Sequence, residues 1–345
     1  MINKKLFSEK YFYLLPAGIC FVGLLVIIYY YFFTGFTYHT QTEYVYIDAN
    51  DNIDSVYNKF STVGSRHGMT ALGTLLRHSD YENHIRTGRF AVNPNDGVIT
   101  IFRRLRNGQQ APVMLTIPES RTIQILAGVL SRKLMIDSTT IACSLTDSAY
   151  CASLGYTTQT IPAMFVPNTY EVYWDTNIDK FLQRMKREHD TFWNYERLHK
   201  AEAIGLTPVE VCTLASIIDE ETANTKEKPM IAGMYLNRLH VGMPLQADPT
   251  VKFALGDFAI HRIRHGMLNT DSPYNTYKYE GLPPGPIKIA SIKGIDAVLN
   301  RVSHNYLYMC AKEDFSGTHN FAHSYNDHLK NAARYARALN ERGIE

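Results

Sequence analysis

The sequence has no surplus of charge of either sign. Its 345 residues hold 35 Lys and Arg against 33 Asp and Glu, so there is no strong positive field to draw nucleic acid. Cysteine is sparse, with five in all. None stands in a C-x-x-C pair and no metal-like cluster accompanies them, which leaves thiol chemistry and a zinc site without a foundation. No repeat or low-complexity tract is present, and with 45% apolar and 20% charged residues the composition excludes extended disorder and collagen-like structure. The length suggests about two domains, each large enough to bury a core.

One long hydrophobic run stands out. Tyr11 to Phe33 carries no formal charge over 23 residues, and at ~1.5 Å per residue it spans a hydrocarbon core of ~30 Å. Lys4, Lys5 and Lys10 precede it, offset only by Glu9, and the next charge is Glu43. The positive-inside rule therefore predicts a cytoplasmic tail at 1–10, a transmembrane helix at 11–33 and everything after about Thr34 outside. A cleaved signal peptide is the competing reading, but the run is long for one and no small-x-small site follows it before Phe36. Setting aside residues 1–36, with three lysines and one glutamate, leaves an exterior part holding 32 basic and 32 acidic residues. A neutral exterior domain has no built-in pull toward a polyanion.

Four cysteines, Cys143, Cys151, Cys212 and Cys310, lie outside the run, and an exported domain is free to form disulfides. Cys143 and Cys151 are near enough in sequence to pair locally. Cys212 and Cys310 stand in apolar contexts that suit buried free thiols.

The exterior chain reads as mixed α+β. Strands are predicted at 42–50 and 88–92, with helices at 53–60, 69–76 and 99–105, the last closed by Asn107-Gly108. They make a compact αβ module. A strand at 113–117 and a helix at 122–134 follow. Residues 177–199 read as one long charged helix, 267–286 as a structured loop, 306–310 as a strand and 325–339 as a closing helix.

The densest chemistry lies in the carboxyl half. Thr207-Pro208-Val209-Glu210 is a strong helix start, with a capping Thr, a Pro in the first turn and a Glu that returns the capping bond. At 100° per residue Val211, Leu214, Ile217 and Ile218 form an apolar stripe, while Thr213, Ser216 and Glu220 fall on a polar face and Asp219 on the border. Glu221 is four residues after Ile217 and seven after Leu214, so it projects from the apolar stripe itself. A carboxyl drawn out of water has a raised pKa, which suits a general acid near neutral pH. The bland alternative is that the helix ends near Asp219 and leaves Glu221 solvated. A second helix is predicted over 228–239, with Ile231, Met234 and Tyr235 inward.

Around this acid the sequence offers groups able to bond sugar hydroxyls and amides. The candidate substrate-binding set is Asn237, Gln246, Asp248, Tyr274, Asn275, Tyr277 and His319. Each has a plainer reading: Asp248 before Pro249 starts a turn or caps a helix, Arg238 serves a surface ion pair, and His319 is a structural donor. His261 and His265 have i,i+4 spacing, but no acid follows the first histidine and two histidines do not complete a zinc site.

From about Val45 to Lys330 these motifs resemble the endolytic murein transglycosylases of the YceG-like family. The family's Ala-Ser-Ile-Val-Glu-Lys-Glu-Thr motif is matched by Ala215-Ser216-Ile217-Ile218-Asp219-Glu220-Glu221-Thr222, which places its essential glutamate on Glu221. Further matches are Asn237-Arg238-Leu239, Leu245-Gln246 with Asp248-Pro249-Thr250, Pro273 to Tyr277, Gly281 to Ile287, and His319 with Phe321. The resemblance implies an α+β chain with one transmembrane helix, a LysM-like αβ subdomain at 44–112 and a mixed α+β catalytic domain at 113–345. It implies a lyase, without cofactor or metal, that cuts peptidoglycan glycan strands internally beside the cell-wall synthases. Its location would be the cytoplasmic (inner) membrane, held by one helix, with the catalytic part periplasmic. Departures from the pattern are Asp219 and Glu220, extra negative neighbours expected to raise the acid's pKa further. Ser120 also departs, standing where the family usually has a glycine, which puts a left-handed turn in question. A muramidase cutting the same bond with water and a noncatalytic glycan-binding scaffold are the rival readings; a metallohydrolase rests only on the histidine pair.

Overall fold

The computed structural model describes residues 4–260 and 262–343. It divides into two compact units, Met1–Met114 with Glu171–Thr176, and Leu115–Tyr170 with Asn177–Glu345.

The first unit opens with α1 (Lys4–Phe33). Its segment Leu14–Phe33 is long and apolar enough to cross a membrane, and most of its side chains stand open, with Leu15 71% exposed and Ile27 64%, while Tyr31 and Phe32 at its end pack against the core of this unit. Then follow β1 (Glu43–Ile47), α2 (Ile53–Ser61), α3 (Arg66–His78), β2 (Gly88–Val92) and α4 (Val98–Asn107). β1 and β2 pair antiparallel, Val45 opposite Phe90, so alternate residues Val45, Ile47, Phe90 and Val92 turn to the core. Phe36, Phe60, Leu72 and Ile101 fill it from the connection and the helices. Local sequence chemistry sets the helix ends. Asn52 and Ser55 form a reciprocal capping box, Ser65 caps α3, and Gly108 closes α4 at φ +66°.

β3 (Val113–Thr116) carries the chain into the second unit and leads to α5 (Ile123–Ser131), α6 (Ser138–Thr146) and α7 (Ser148–Ser153). β4 (Thr169–Val172), α8 (Ile178–Phe192) and α9 (Tyr195–Ala203) follow, then α10 (Pro208–Glu221) and α11 (Lys228–His240). The chain ends with α12 (Asp248–Leu255), α13 (Ile292–Leu299), the hairpin β5 (Tyr308–Ala311) and β6 (His319–Ala322), and α14 (Tyr325–Glu341). The turn at Pro118-Glu119-Ser120 needs no left-handed residue, so Ser120 is tolerated there.

Two expectations are corrected. The single helix predicted over 177–199 is broken into α8 and α9. Trp193 is buried with ψ +61°, outside the helical region, and the Asn194 side chain accepts from Arg197 N–H as a new N-cap. Two of the three residues on the predicted polar face of α10, Thr213 and Ser216, are buried. Thr213 Oγ1 donates to Val209 O (2.8 Å) and Ser216 Oγ to Thr213 O (2.7 Å), so both hydroxyls are satisfied by their own helix. Ser216 also accepts from Ile287 N–H at 3.0 Å. The helix is therefore enclosed over Val211–Ile218, by Ile231 and Met234 of α11 and Ile295 and Val298 of α13 among others.

All cysteines in the described residues are free. Cys143 is exposed while Cys151 is buried, its Sγ directed at Leu145 O (3.5 Å), and no local bridge forms. Cys212 is buried as expected, which pushes its thiol up to about 12. Cys310 is only partly covered.

Candidate active site

The Thr207–Glu210 capping box, with Thr207 N–H to Glu210 Oε2 at 2.8 Å, fixes where α10 begins and hence which way every later residue points. The helix continues through Glu221, and only at Thr222 does the backbone become extended. The last helical residue, on the apolar stripe, is thus the glutamate. It opens into a cleft of about 230 Å³ walled by Tyr235, Arg238, Gln246, Asp248 and Tyr277, with Cys310 and His319 among the residues completing the lining.

Tyr235, 1% exposed, donates its hydroxyl to Glu221 Oε1 at 2.9 Å. Burial pushes the Glu221 carboxyl up to about 7, against the Tyr235 hydrogen bond; the Asp248 charge adds to the rise and Lys252 and Arg238 oppose it. Near neutral pH this carboxyl is therefore divided between acid and base forms. The expectation that Asp219 and Glu220 supply the raising charge is corrected, because both are neutralised elsewhere. Asp219 pairs with buried Lys228 and accepts Ser291 N–H (2.7 Å) and Oγ (2.8 Å). Glu220 faces Arg121 (2.7 Å) and Lys288 (3.3 Å). Although burial works against it, those two cations hold Glu220 below the usual carboxylate range.

Two of the sequence motifs are locked together beside the acid. Thr250 and Thr276, both fully buried, share a hydroxyl bond (2.8 Å), and Thr276 Oγ1 accepts Ala247 N–H (3.0 Å). Gln246 N–H donates to Thr276 O (3.0 Å). Gln246 itself sits at φ +51°, a strained position for a residue with a Cβ, held on the cleft wall by this lattice of bonds. Tyr277 donates to Asp248 Oδ1 at 2.5 Å, so phenol and carboxylate form one unit at the rim.

The remaining candidates fall into different places. Asn275 is fully buried and donates to Leu268 O and Thr270 O, both at 2.8 Å, while its oxygen accepts Tyr277 N–H. It shapes the loop that carries Tyr277 and has no surface to offer. Asn237 donates to His304 O (2.8 Å) and Tyr306 O (3.0 Å) and does not line the cleft. Tyr274 packs on Phe253 with ring centroids 4.6 Å apart, in the wall of a different pocket. His319 does line the cleft. Buried Glu227 takes its N–H (2.6 Å) and Nδ1 (2.9 Å), so the ring orientation is set. His261 lies outside the described residues.

Two residues of the cleft wall, Arg238 and Tyr235, and one behind it, Glu227, were not among the candidate site residues read from the sequence. Arg238 is no surface ion-pair residue. It is 7% exposed and donates to Leu307 O (2.6 Å) and Leu245 O (2.7 Å), tying α11 to two loops while its charge reaches Glu221. Tyr235 reads as core, yet a buried phenol needs a partner and an inward-facing glutamate is the natural one. Glu227 gave no signal, because its partner is 92 residues away.

Comparison with known proteins agrees with this geometry. The YceG-like family model matches residues 45–334. The endolytic murein transglycosylase of Bacillus subtilis is 34% identical over 169 residues, covering 49% of this chain and 46% of that protein. The protein of the same name from Streptococcus pneumoniae serotype 2 is 26% identical over 343 residues, covering 84% of this chain and 61% of its own. The chain thus spans about half to three-fifths of the length of these curated relatives. A crystal structure of a YceG-like protein from Listeria monocytogenes superposes with a TM-score of 0.54 at 24% identity, over 85% of this chain and 99% of that one, which speaks for the fold. With the match running through both units and across every residue of the cleft, the chain belongs to the YceG-like family.

Proposed function

We propose that this chain is an endolytic lytic transglycosylase that cuts the β-1,4 bond between N-acetylmuramic acid and N-acetylglucosamine within peptidoglycan strands. The observation that carries the reading is one partly buried carboxyl, Glu221, raised to about 7 in a polar cleft. Protonated Glu221 donates to the glycosidic oxygen as the bond to C1 breaks. The C6 hydroxyl of the same muramic residue then attacks C1 and returns its proton to the Glu221 carboxylate, leaving a 1,6-anhydro end. One carboxyl serves both steps because the nucleophile belongs to the substrate. Gln246, Tyr277 and His319 hold the sugars, and Asn275 and Asn237 act behind them by fixing the loops. Asp248, bonded to Tyr277, organises the rim.

That same Asp248 favours a second reading. Hydrolysis commonly uses a second carboxylate to activate water, and Asp248 is an exposed acid on the cleft wall. Mass spectrometry of products from uncrosslinked strands separates the two. Fragments lighter by one water, absent with Glu221→Gln, are expected of the lyase; reducing muramic ends would identify a muramidase acting through Asp248. Strands bound equally by both proteins and cut by neither would point to a scaffold.

The helix Leu14–Phe33 supports a membrane anchor. With the lysines on its amino-terminal side, the cleft lies outside the cytoplasmic membrane, where new strands emerge from the synthases. The β1–α2–α3–β2 module is the proposed glycan-holding, LysM-like part.

A further inference from the structure

The second unit holds another pocket, of about 300 Å³, larger than the cleft at Glu221. The two differ in character. The cleft is walled by hydroxyls, carboxylates and a guanidinium, whereas Ile123, Pro162, Phe253, Tyr274, Pro286 and Ile289 give the second pocket apolar walls. Gln124, Gln159 and Thr158 edge it with amides and a hydroxyl. Ser120, 6% exposed and also in the lining, has a hydroxyl without a protein partner. The walls are closely built: a Cβ at Gly285 would collide with the Gln159 carbonyl, so the 283–287 loop rests directly on the Gln159 backbone.

The pocket and the cleft are set side by side by the same two helices. α10 ends in two consecutive carboxylates, Glu221 opening into the cleft and Glu220 lining a small hollow together with Arg121 and Phe253, which also line the pocket. α12 makes the same passage, from Asp248 in the cleft to Phe253 in the pocket, five residues or about 7.5 Å of helix. Between them stands Lys252. It has no ion-pair partner among the described residues, yet its charge is felt at Glu221.

We propose that this second pocket receives the peptide stem borne by the muramic acid residue seated beside Glu221. The inference rests on the glycan-cutting reading above and adds the second half of the substrate. Each muramic acid carries, on its lactyl ether, a short peptide of small side chains, amides and free carboxylates. Methyl groups gain by leaving water in an apolar pocket, where a sugar's hydroxyls would lose their partners. The amides meet Gln124, Gln159 and Thr158, and the carboxylate meets the unpaired Lys252. The pocket thus makes the enzyme one for stem-bearing strands.

Two measurements on the full chain in detergent test this. N-acetylmuramic acid and N-acetylmuramoyl-L-alanyl-γ-D-glutamate are titrated by calorimetry, with the peptide form expected to bind about tenfold tighter. Gln124→Trp and Gln159→Trp, at exposed positions on the pocket edge, should bring that ratio to about one while thermal melting stays at the parent value. Strands with stems and strands stripped by an amidase are then compared, and the cutting rate should favour stems by a similar factor in the parent and not in the variants. Equal affinities for the two ligands, with both strands cut at one rate, would overturn the stem pocket and leave the glycosidic reading intact. Discrimination between the ligands with neither strand cut would uphold the pocket and overturn the glycosidic reading.

Discussion

At the scale of single residues the decisive quantity is the ionisation of Glu221. In the proposed reaction its first task requires the proton, so activity should fall about tenfold per pH unit above about 7. Tyr235→Phe removes a hydrogen bond that favours the carboxylate, so it should move the alkaline limb to higher pH; a limb that stayed put would separate Tyr235 from the acid. The same shift has a stability consequence. Glu221 ionises near 4.5 when unfolded and near 7 when folded. The folded state is thus favoured fully below 4.5, and that advantage is lost as pH rises toward 7 and above. The difference corresponds to about 3 kcal/mol. Glu221→Gln, which never ionises, should melt several degrees higher than the parent at pH 8 and lose that advantage at pH 4, as thermal denaturation at the two values will show. His319, whose orientation Glu227 sets, is read as a sugar contact. His319→Ala should therefore raise KM about tenfold with a smaller effect on kcat in steady-state kinetics. The placement of Glu221 at the cleft was legible in the sequence because a charged residue at the i+4 and i+7 positions of an apolar stripe breaks the helical pattern. Asn275 and Asn237 were legible as important but not in their roles. An amide that bonds a sugar and one that bonds a distant carbonyl look alike until the loops are in place.

At the scale of elements, what holds α10 is a buried ion pair. Asp219 is joined to Lys228 at the start of α11 and to Ser291 N–H and Oγ at the start of α13. A Cβ on Gly294 would come within 2.5 Å of its carboxylate, so these elements meet at van der Waals contact. Asp219→Ala strands the Lys228 ammonium in a site where its side chain is only 9% exposed and should destabilise by about 3–5 kcal/mol, measured by denaturant unfolding. The pair Asp219→Leu with Lys228→Met should recover part of this, but not all, because the Ser291 donors remain without an acceptor. Local signals fared well where a helix end is written in contiguous residues, as at Thr207-Pro208-Val209-Glu210 and Asn107-Gly108. They failed where a buried ring overrode the pattern. The charges of 177–199 keep helical spacing across Trp193, but the ring's burial bends the chain and Asn194 restarts it. α12 and α13 are eight residues each, with their apolar positions spent on neighbours distant in sequence, so periodicity had too little length to register.

At the scale of the whole molecule the proposal is directional: a cytoplasmic tail, one crossing, and a cleft outside. Its physical basis is the asymmetry of charge about Leu14–Phe33, with lysines on one side and no charge until Glu43 on the other. The free thiols provide a reporter. Cys143 is exposed in the second unit, whereas Cys151 and Cys212 are buried and Cys310 is only partly covered. Cys20 lies within the apolar span, where a polar reagent does not enter. A membrane-impermeant maleimide applied to intact spheroplasts should therefore label the chain from outside, and Cys143→Ser should remove most of that label. Labelling that appears only after the membrane is opened would reverse the orientation and take the cleft away from the glycan it is proposed to cut. Release of the whole protein by high salt, with no detergent, would dispose of the anchor itself, since ~20 apolar residues in hydrocarbon do not respond to ionic strength.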